Sequence, residues 1–292
     1  SVGDNFQNLM VFTDPFAKDR LESFLSIFFS SIDNVKLDFE GHNVVFGKSM
    51  VKPTPILAFE KIDSDNSLYL RVMNAIGNLP ADLSENFYLN RVATLAENGD
   101  VVVRGVDVFD PDQDIELVKR EIKANAPTKA AAKEVWTDDN LFVIPPEVAS
   151  PFLTGALPVL LGKFKLIGAE KLKTYKITAA TPKLSVKLGS GIDFLEGTAD
   201  VEVGDQKFSL NDLLTQYSRN RYVTLSDGNR AVFDDTYMKR LERIFSRAKG
   251  KDSKVKVSFF DLPEVMNLLD DSNLTGKAFN ACRKFYEGFR KL

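Results

Sequence analysis

Residues 183–248 read KLSVKLGSGIDFLEGTADVEVGDQKFSLNDLLTQYSRNRYVTLSDGNRAVFDDTYMKRLERIFSRA, and the spacing of apolar side chains in this stretch decides the fold class. Leu184, Val186 and Leu188 fall at every second position, the period of a half-buried strand. Gly189 to Gly191 breaks that strand, and two β-rich runs follow, Ile192 to Gly197 and Thr198 to Val203. Gly204-Asp205 places glycine first in a two-residue turn, and Lys207-Phe208 continue the returning strand. Ser209 then caps a helix, with Asp212 three residues on as its capping-box partner. Leu210, Leu213, Leu214 and Tyr217 form the apolar face of that helix. Arg221 to Leu225 and Arg230 to Phe233 read as strands around the turn Ser226-Asp227-Gly228-Asn229. Asp234 and Asp235 precede a second helix from Thr236 to Ala248. Short strands closed by tight turns and flanked by amphipathic helices define an α+β fold with mainly antiparallel sheets.

The same grammar extends in both directions. Downstream, Val255 to Phe260 reads as a strand, followed by closing helices at Pro263–Leu269 and Thr275–Phe289. Upstream, Asp14 and Pro15 open a helix running to Ser30, with Leu21, Phe24, Leu25 and Phe28 on one face. Val35 to Phe39 turns at Gly41-His42 into Val44 to Phe46, and Ile56 to Ile62 turns into Leu68 to Val72. Tyr88 to Glu97 turns at Asn98-Gly99 into Val101 to Val108; an Asn-Gly pair between two β-rich runs is a strong hairpin signal, because both residues accept positive φ. Asp114 to Lys123 reads as a helix. Ala124 to Asn140, polar and rich in Ala, Lys and Thr, reads as a connection between two lobes. Pro145-Pro146 starts a helix through Leu153, and strands follow at Phe164–Ile167 and Leu172–Thr178.

Charge also divides the chain. Residues 1–150 carry 14 Lys+Arg against 24 Asp+Glu, and residues 151–292 carry 24 against 17, so a net charge of −3 conceals an acidic first half and a basic second half. The lobes expected are an acidic one over 1–140 and a basic one over 141–292. The 23 Phe, beside one Trp and seven Tyr, imply large apolar cores. The lone cysteine, Cys282, excludes a disulfide framework and suits a reducing cytoplasm. No apolar run approaches the roughly 20 residues of a membrane helix, so no membrane partner is expected. The chain begins Ser-Val-Gly without an initiating Met, which reads as a piece of a longer polypeptide.

Tests for catalytic constellations fail one by one. Gly47-Lys48-Ser49 lacks the glycine five residues earlier that a phosphate loop requires. Gly189-Ser190-Gly191 lacks the third glycine of a dinucleotide fingerprint. His42, the only histidine, sits in a turn. The run Asp107, Asp110, Asp112, Asp114 lacks the central glycine and the distal glutamate of a calcium loop. Neither a catalytic residue, a metal nor a cofactor is expected. What stands out is a basic cluster. Leu241, Ile244, Phe245 and Ala248 form the apolar face of the helix, Arg240, Arg243 and Arg247 share another face, and Lys249, Lys251, Lys254 and Lys256 follow. Several cations on one ridge neutralise phosphates without reading sequence; the same ridge also fits an acidic protein surface.

Three segments carry a family resemblance: Gly191-Ile192-Asp193-Phe194-Leu195-Glu196-Gly197, Phe208-Ser209-Leu210-Asn211-Asp212-Leu213-Leu214, and Arg221-Tyr222-Val223-Thr224-Leu225-Ser226-Asp227-Gly228. Together they resemble the helicase-associated region of bacterial Snf2-type (Swi2/Snf2) DNA-dependent ATPases, with Ile192-Asp193 standing where the family has a tryptophan. The resemblance covers about a quarter of the chain and carries a fold signature without catalytic residues. It implies a non-catalytic accessory region lying before two RecA-like motor lobes of the same polypeptide, which hold the nucleotide. The implied partners are those lobes and duplex DNA, in an ATP-dependent translocase of the bacterial cytoplasm. A protein-interaction or autoinhibitory module without nucleic-acid affinity is the alternative, and an independent enzyme is a third reading.

Overall fold

A computed structural model describes residues 18–32, 41–80, 83, 88–190, 194–245, 254–258, 261–268 and 274–275. The helix start at Asp14-Pro15, the strand Val35–Phe39, residues 276–289 of the last expected helix and Cys282 lie outside the described residues; Thr275, expected to open that helix, is in a strand instead. The fold is α+β, with helices against mixed sheets. The chain divides into two compact units, Ser1–Ile56 with Val72–Ile115, and Leu57–Arg71 with Glu116–Leu292.

In the first unit, helix α1 (Lys18–Ser31) lies on a three-stranded sheet of order β1-β5-β4, built from β1 (Val44–Phe46), β4 (Arg91–Leu95) and β5 (Val101–Gly105). The Asn98-Gly99 turn joins β4 and β5 in antiparallel register, with Gly99 at φ +85° as its left-handed residue. β1 runs parallel to β5. Leu25, Phe28 and Phe29 of the helix pack on Ala93, Val101 and Val103.

A second face of α1 is polar and works differently. The backbone N–H groups of Arg91, Ala93 and Leu95, every second residue along the outer edge of β4, donate to Ser30 Oγ (3.1 Å), Ser26 Oγ (2.9 Å) and Glu22 Oε1 (2.8 Å). Side chains at i, i+4 and i+8 of one helix thus take the place of a neighbouring strand. An open edge is a template for unwanted pairing, and here a helix occupies it.

The chain enters the second unit along β2 (Thr54–Ile62) and returns along β3 (Leu68–Ala75). Helices α2 (Pro111–Asn125) and α3 (Lys129–Glu134) lead to β6 (Trp136–Asp138) and β7 (Leu141–Ile144), and α4 (Pro146–Gly155), α5 (Leu157–Leu160) and β8 (Lys165–Ile167) follow. β6-β7-β3-β2-β8 is one five-stranded sheet. The segment expected to link two lobes therefore holds a helix capped by Thr128, whose Oγ1 accepts from Ala131 N at 3.1 Å, and an edge strand. Residue 140, the expected boundary between the lobes, lies in the β6–β7 turn, with paired strands of one sheet on either side of it. Alanine-rich, polar composition signals exposure, and both elements are largely exposed. Leu172, expected in a strand, lies in a 3-10 helix, Ala169–Tyr175, with left-handed Gly168 and Lys176 at its two ends. The strand starts only after it, as β9 (Ile177–Ala179).

The remainder follows the spacing closely. β10 (Lys183–Ser190), β11 (Phe194–Val203) and β12 (Gln206–Ser209) form a meander, and β15 (Lys254–Ser258) pairs antiparallel with the first half of β11. Between them in sequence come α6 (Leu210–Asn220), β13 (Val223–Thr224), β14 (Arg230–Val232) and α7 (Asp235–Phe245); after β15 come α8 (Leu262–Leu268) and β16 (Leu274–Thr275). Ser209 caps α6 as expected, its Oγ accepting from Asp212 N at 3.1 Å. Gly189 does not end β10, which continues in register through Ser190 against Leu195. The glycine that matters is Gly197, in mid-β11 between two partner strands: a Cβ there would stand 1.8 Å from Lys187 O. Close backbone approach of this kind reserves a strand position for glycine. Among the described residues β1–β5, β9–β14 and β10–β16 pair in parallel, while β10–β11, β11–β12, β11–β15, β13–β14, β3–β7, β4–β5 and β6–β7 are antiparallel.

Alternate residues of this sheet bury Leu184, Val186, Leu188, Leu195, Ala199, Val201, Val203, Val255 and Val257 against Leu210, Leu213, Leu241, Ile244 and Phe245 of α6 and α7. A fully buried Val, Leu or Phe contributes about 1.5–3 kcal/mol, so this cluster fixes the sheet's inner face and, by period two, which residues face outward.

Candidate nucleic-acid interface

The structure separates the basic cluster that the sequence groups together. Leu241, Ile244 and Phe245 of α7 pack with Val255 and Val257 of β15. Lys254 and Lys256 alternate with those valines and are exposed, so they stand on the side of the sheet away from α7. Arg240 and Arg243 are exposed on the helix instead. Both reach Glu264 of α8: Arg243 Nη2 bonds its Oε1, and Arg240 Nε lies 3.6 Å from the same oxygen. One carboxylate thus offsets two guanidiniums. Arg247, Lys249 and Lys251 lie outside the described residues.

The outer face of the sheet offers a wider cationic surface. Register aligns Lys183 with Glu202 and Lys207, Ser185 with Asp200 and Ser209, Lys187 with Thr198 and Lys254, and Gly189 with Glu196 and Lys256. Five lysines stand among three acids. Lys207 Nζ lies 3.1 Å from Asp200 and Lys256 Nζ 2.8 Å from Glu196. The row Lys187–Thr198–Lys254 contains no acid, and its outer residues stand two strand spacings apart, about 10 Å. A flat row of ammonium and hydroxyl groups can neutralise phosphates and exchange hydrogen bonds with them while reading no base edge. Period-two lysines at 183 and 187 are visible in sequence. Their union with Lys254 requires knowing that both strands flank β11.

A second ionic node is architectural. Asp235 opens α7 and is 5% exposed. Its carboxylate accepts from Tyr217 Oη at 3.1 Å, meets Arg221 Nη1 at 3.2 Å and Lys239 Nζ at 2.7 Å. Burial, then the Asp235 charge, pushes the Tyr217 hydroxyl far above the ordinary phenol range. Arg221 sits at φ +66° as the left-handed cap of α6, its N–H bonding Tyr217 O at 2.8 Å. The node ties the end of α6 to the start of α7, and its acid is enclosed by its own partners.

The remaining motifs have local roles. Gly47 N donates to Val103 O at 2.8 Å, so Gly47-Lys48-Ser49 extends from a strand and opens no helix. His42 packs against Gly99, where a Cβ would lie 2.5 Å from its Cε1. Beside it, the Asn43 backbone N–H and then the Asn98 side chain hold the Asp100 carboxyl below the usual carboxylate range. Asp110 Oδ1 accepts from Asp112 N at 3.1 Å at the start of α2, and Asp112 and Asp114 sit in that helix's first turn. Among the described residues no group of three His, Cys, Asp or Glu side chains converges to hold a metal ion, and no helix is long and apolar enough to cross a membrane.

No family model, no curated protein and no solved structure matches this chain.

Proposed function

We propose that this chain is a non-catalytic accessory region that guides duplex DNA for a motor carried elsewhere in a longer bacterial cytoplasmic polypeptide, as the resemblance to Snf2-type ATPases implies. The observation that carries the DNA-guiding part is the acid-free row Lys187–Thr198–Lys254 on an open sheet face with a lysine surplus. Two surplus cations give weak, sequence-independent affinity whose logarithm falls with that of salt by about 1.8. Fluorescence anisotropy with a labelled duplex at several salt concentrations tests this. Replacing Lys187 and Lys254 by Ala is expected to remove that slope, and unchanged binding by the double variant refutes the assignment. The observation favouring the alternative, a docking module without nucleic-acid affinity, is Glu264 bridging Arg240 and Arg243. That reading gives no duplex binding even at low salt, together with binding to the motor lobes or a change in their ATPase rate.

A further inference from the structure

β6 ends its sheet, and among the described residues no strand pairs with its outer edge. All three of its residues are exposed. A cleft opens beside it, with a floor of buried Ile122 and Phe142, a wall of Val135 and Thr137, and Lys119 and Lys123 as the only charged side chains lining it. Thr137 is in register with Phe142, so both face the cleft. Trp136 is in register with Val143, and Val143 with Tyr69, so these three share the opposite face. Trp136, the only tryptophan in the chain, is 52% exposed there.

These features meet at one edge. A chain segment added to β6 would satisfy that strand's free backbone groups, and its side chains would alternate between the cleft and Trp136. The cleft face is rimmed by the Lys123 and Lys119 ammonium groups, of which Lys119 also meets Glu116 Oε1 at 2.8 Å; two cations against one acid leave the rim net positive, so it suits a carboxylate. The Trp136 face, continuous with Val143 and Tyr69, suits an apolar side chain, and tryptophan is prominent among residues that dominate protein interfaces. The geometry points to an extended peptide of alternating acidic and apolar residues, bound by strand addition to β6 with its carboxylates at Lys119 and Lys123. This site is independent of the lysine row, so either assignment can fail while the other stands.

Trp136 supplies the readout, since all tryptophan emission of the full 292-residue chain comes from it. Titration with acetyl-Val-Glu-Val-Glu-Val-amide is expected to give a saturable blue shift as the indole is covered. The counterpart with Lys in place of Glu should give none. Lys119→Ala with Lys123→Ala should weaken the acidic peptide about five- to tenfold, as two ion pairs with the peptide are lost and Glu116 is left without Lys119 to offset it. Methylating alternate backbone nitrogens along the peptide edge that faces β6 should abolish binding, because strand addition needs those donors. Anisotropy of a labelled peptide on Trp136→Phe keeps the test independent of the indole. Equal binding of the methylated and unmethylated peptides overturns the proposal. So does a flat anisotropy titration, or a saturable response to oligothymidylate with none to peptide, which would make Trp136 a base-stacking surface.

Discussion

Replacing Ser26 by Ala tests whether a helix really substitutes for a strand at the edge of β4. Ser26 is fully buried, and its Oγ accepts from Ala93 N at 2.9 Å while donating to Glu22 O at 2.6 Å. Alanine removes the acceptor and leaves the Ala93 N–H buried without a partner, which costs about 1–3 kcal/mol. Alanine is the better helix former by about 0.5 kcal/mol. The net expectation is a loss of about 0.5–2.5 kcal/mol. Ser23→Ala on the same helix changes propensity alone and serves as the comparison. With two compact units in the chain, one melting temperature does not isolate the first, so the assay is amide hydrogen exchange at Ala93 and its neighbours. Exchange at Ala93 should accelerate roughly two- to sixtyfold in Ser26→Ala, taking about 1.4 kcal/mol per factor of ten, and should not accelerate in Ser23→Ala. If Ala93 stays as protected in Ser26→Ala as in Ser23→Ala, the helix-for-strand reasoning is wrong.

Three further outcomes follow from the second unit. Gly197→Ala forces a Cβ to within 1.8 Å of Lys187 O and should destabilise the β10–β11 sheet by about 3 kcal/mol in urea unfolding; wild-type stability would show that the strands separate freely there. Glu264→Gln frees Arg240 and Arg243 from their shared carboxylate and should raise low-salt duplex affinity about two- to threefold if α7 also faces DNA; no change confines the interface to the sheet. Tyr175 and Tyr237 are pushed up to about 12 from 10.0, both by burial first, with the Asp63 charge adding to the effect on Tyr175. Because the folded values lie above the unfolded one, the stability tied to these neutral phenols is complete below about pH 10 and is lost as pH rises towards about 12. Phenolate absorbance should therefore rise together with unfolding; titration of both at pH 10 in a folded chain would refute their burial.

Legibility from sequence follows the range of the interaction that decides each element. Leu184, Val186 and Leu188, the Ser209 cap and the Asn98-Gly99 turn depend on neighbours within a few residues, and the spacing reads them correctly. The 3-10 helix around Leu172 was hidden because its bounding left-handed residues include Lys176, a type that rarely adopts that conformation. α3 and β6 were hidden because an edge element needs little apolar character. The polar ladder of α1 was hidden more deeply. Ser26 reads as a middling helix former, and its partner lies 67 residues away. The basic cluster shows the same limit. Helical spacing places Arg240 and Arg243 together, but only the packing of Val255 and Val257 on α7 shows that Lys254 points the other way.

The α1–β4 ladder also bounds its own length. Four residues of helix advance about 6.0 Å, whereas two residues of strand advance about 6.7 Å. The two scales slip like a vernier, by about 0.7 Å per rung, so three rungs accumulate about 1.4 Å. The terminal rung is made by Glu22 and not by a third serine, and the longer, jointed side chain takes up the offset. A sheet margin shielded in this manner lengthens only at a rising cost in reach, because each added pair of β4 residues adds about 0.7 Å to the offset that a side chain on a straight helix must span.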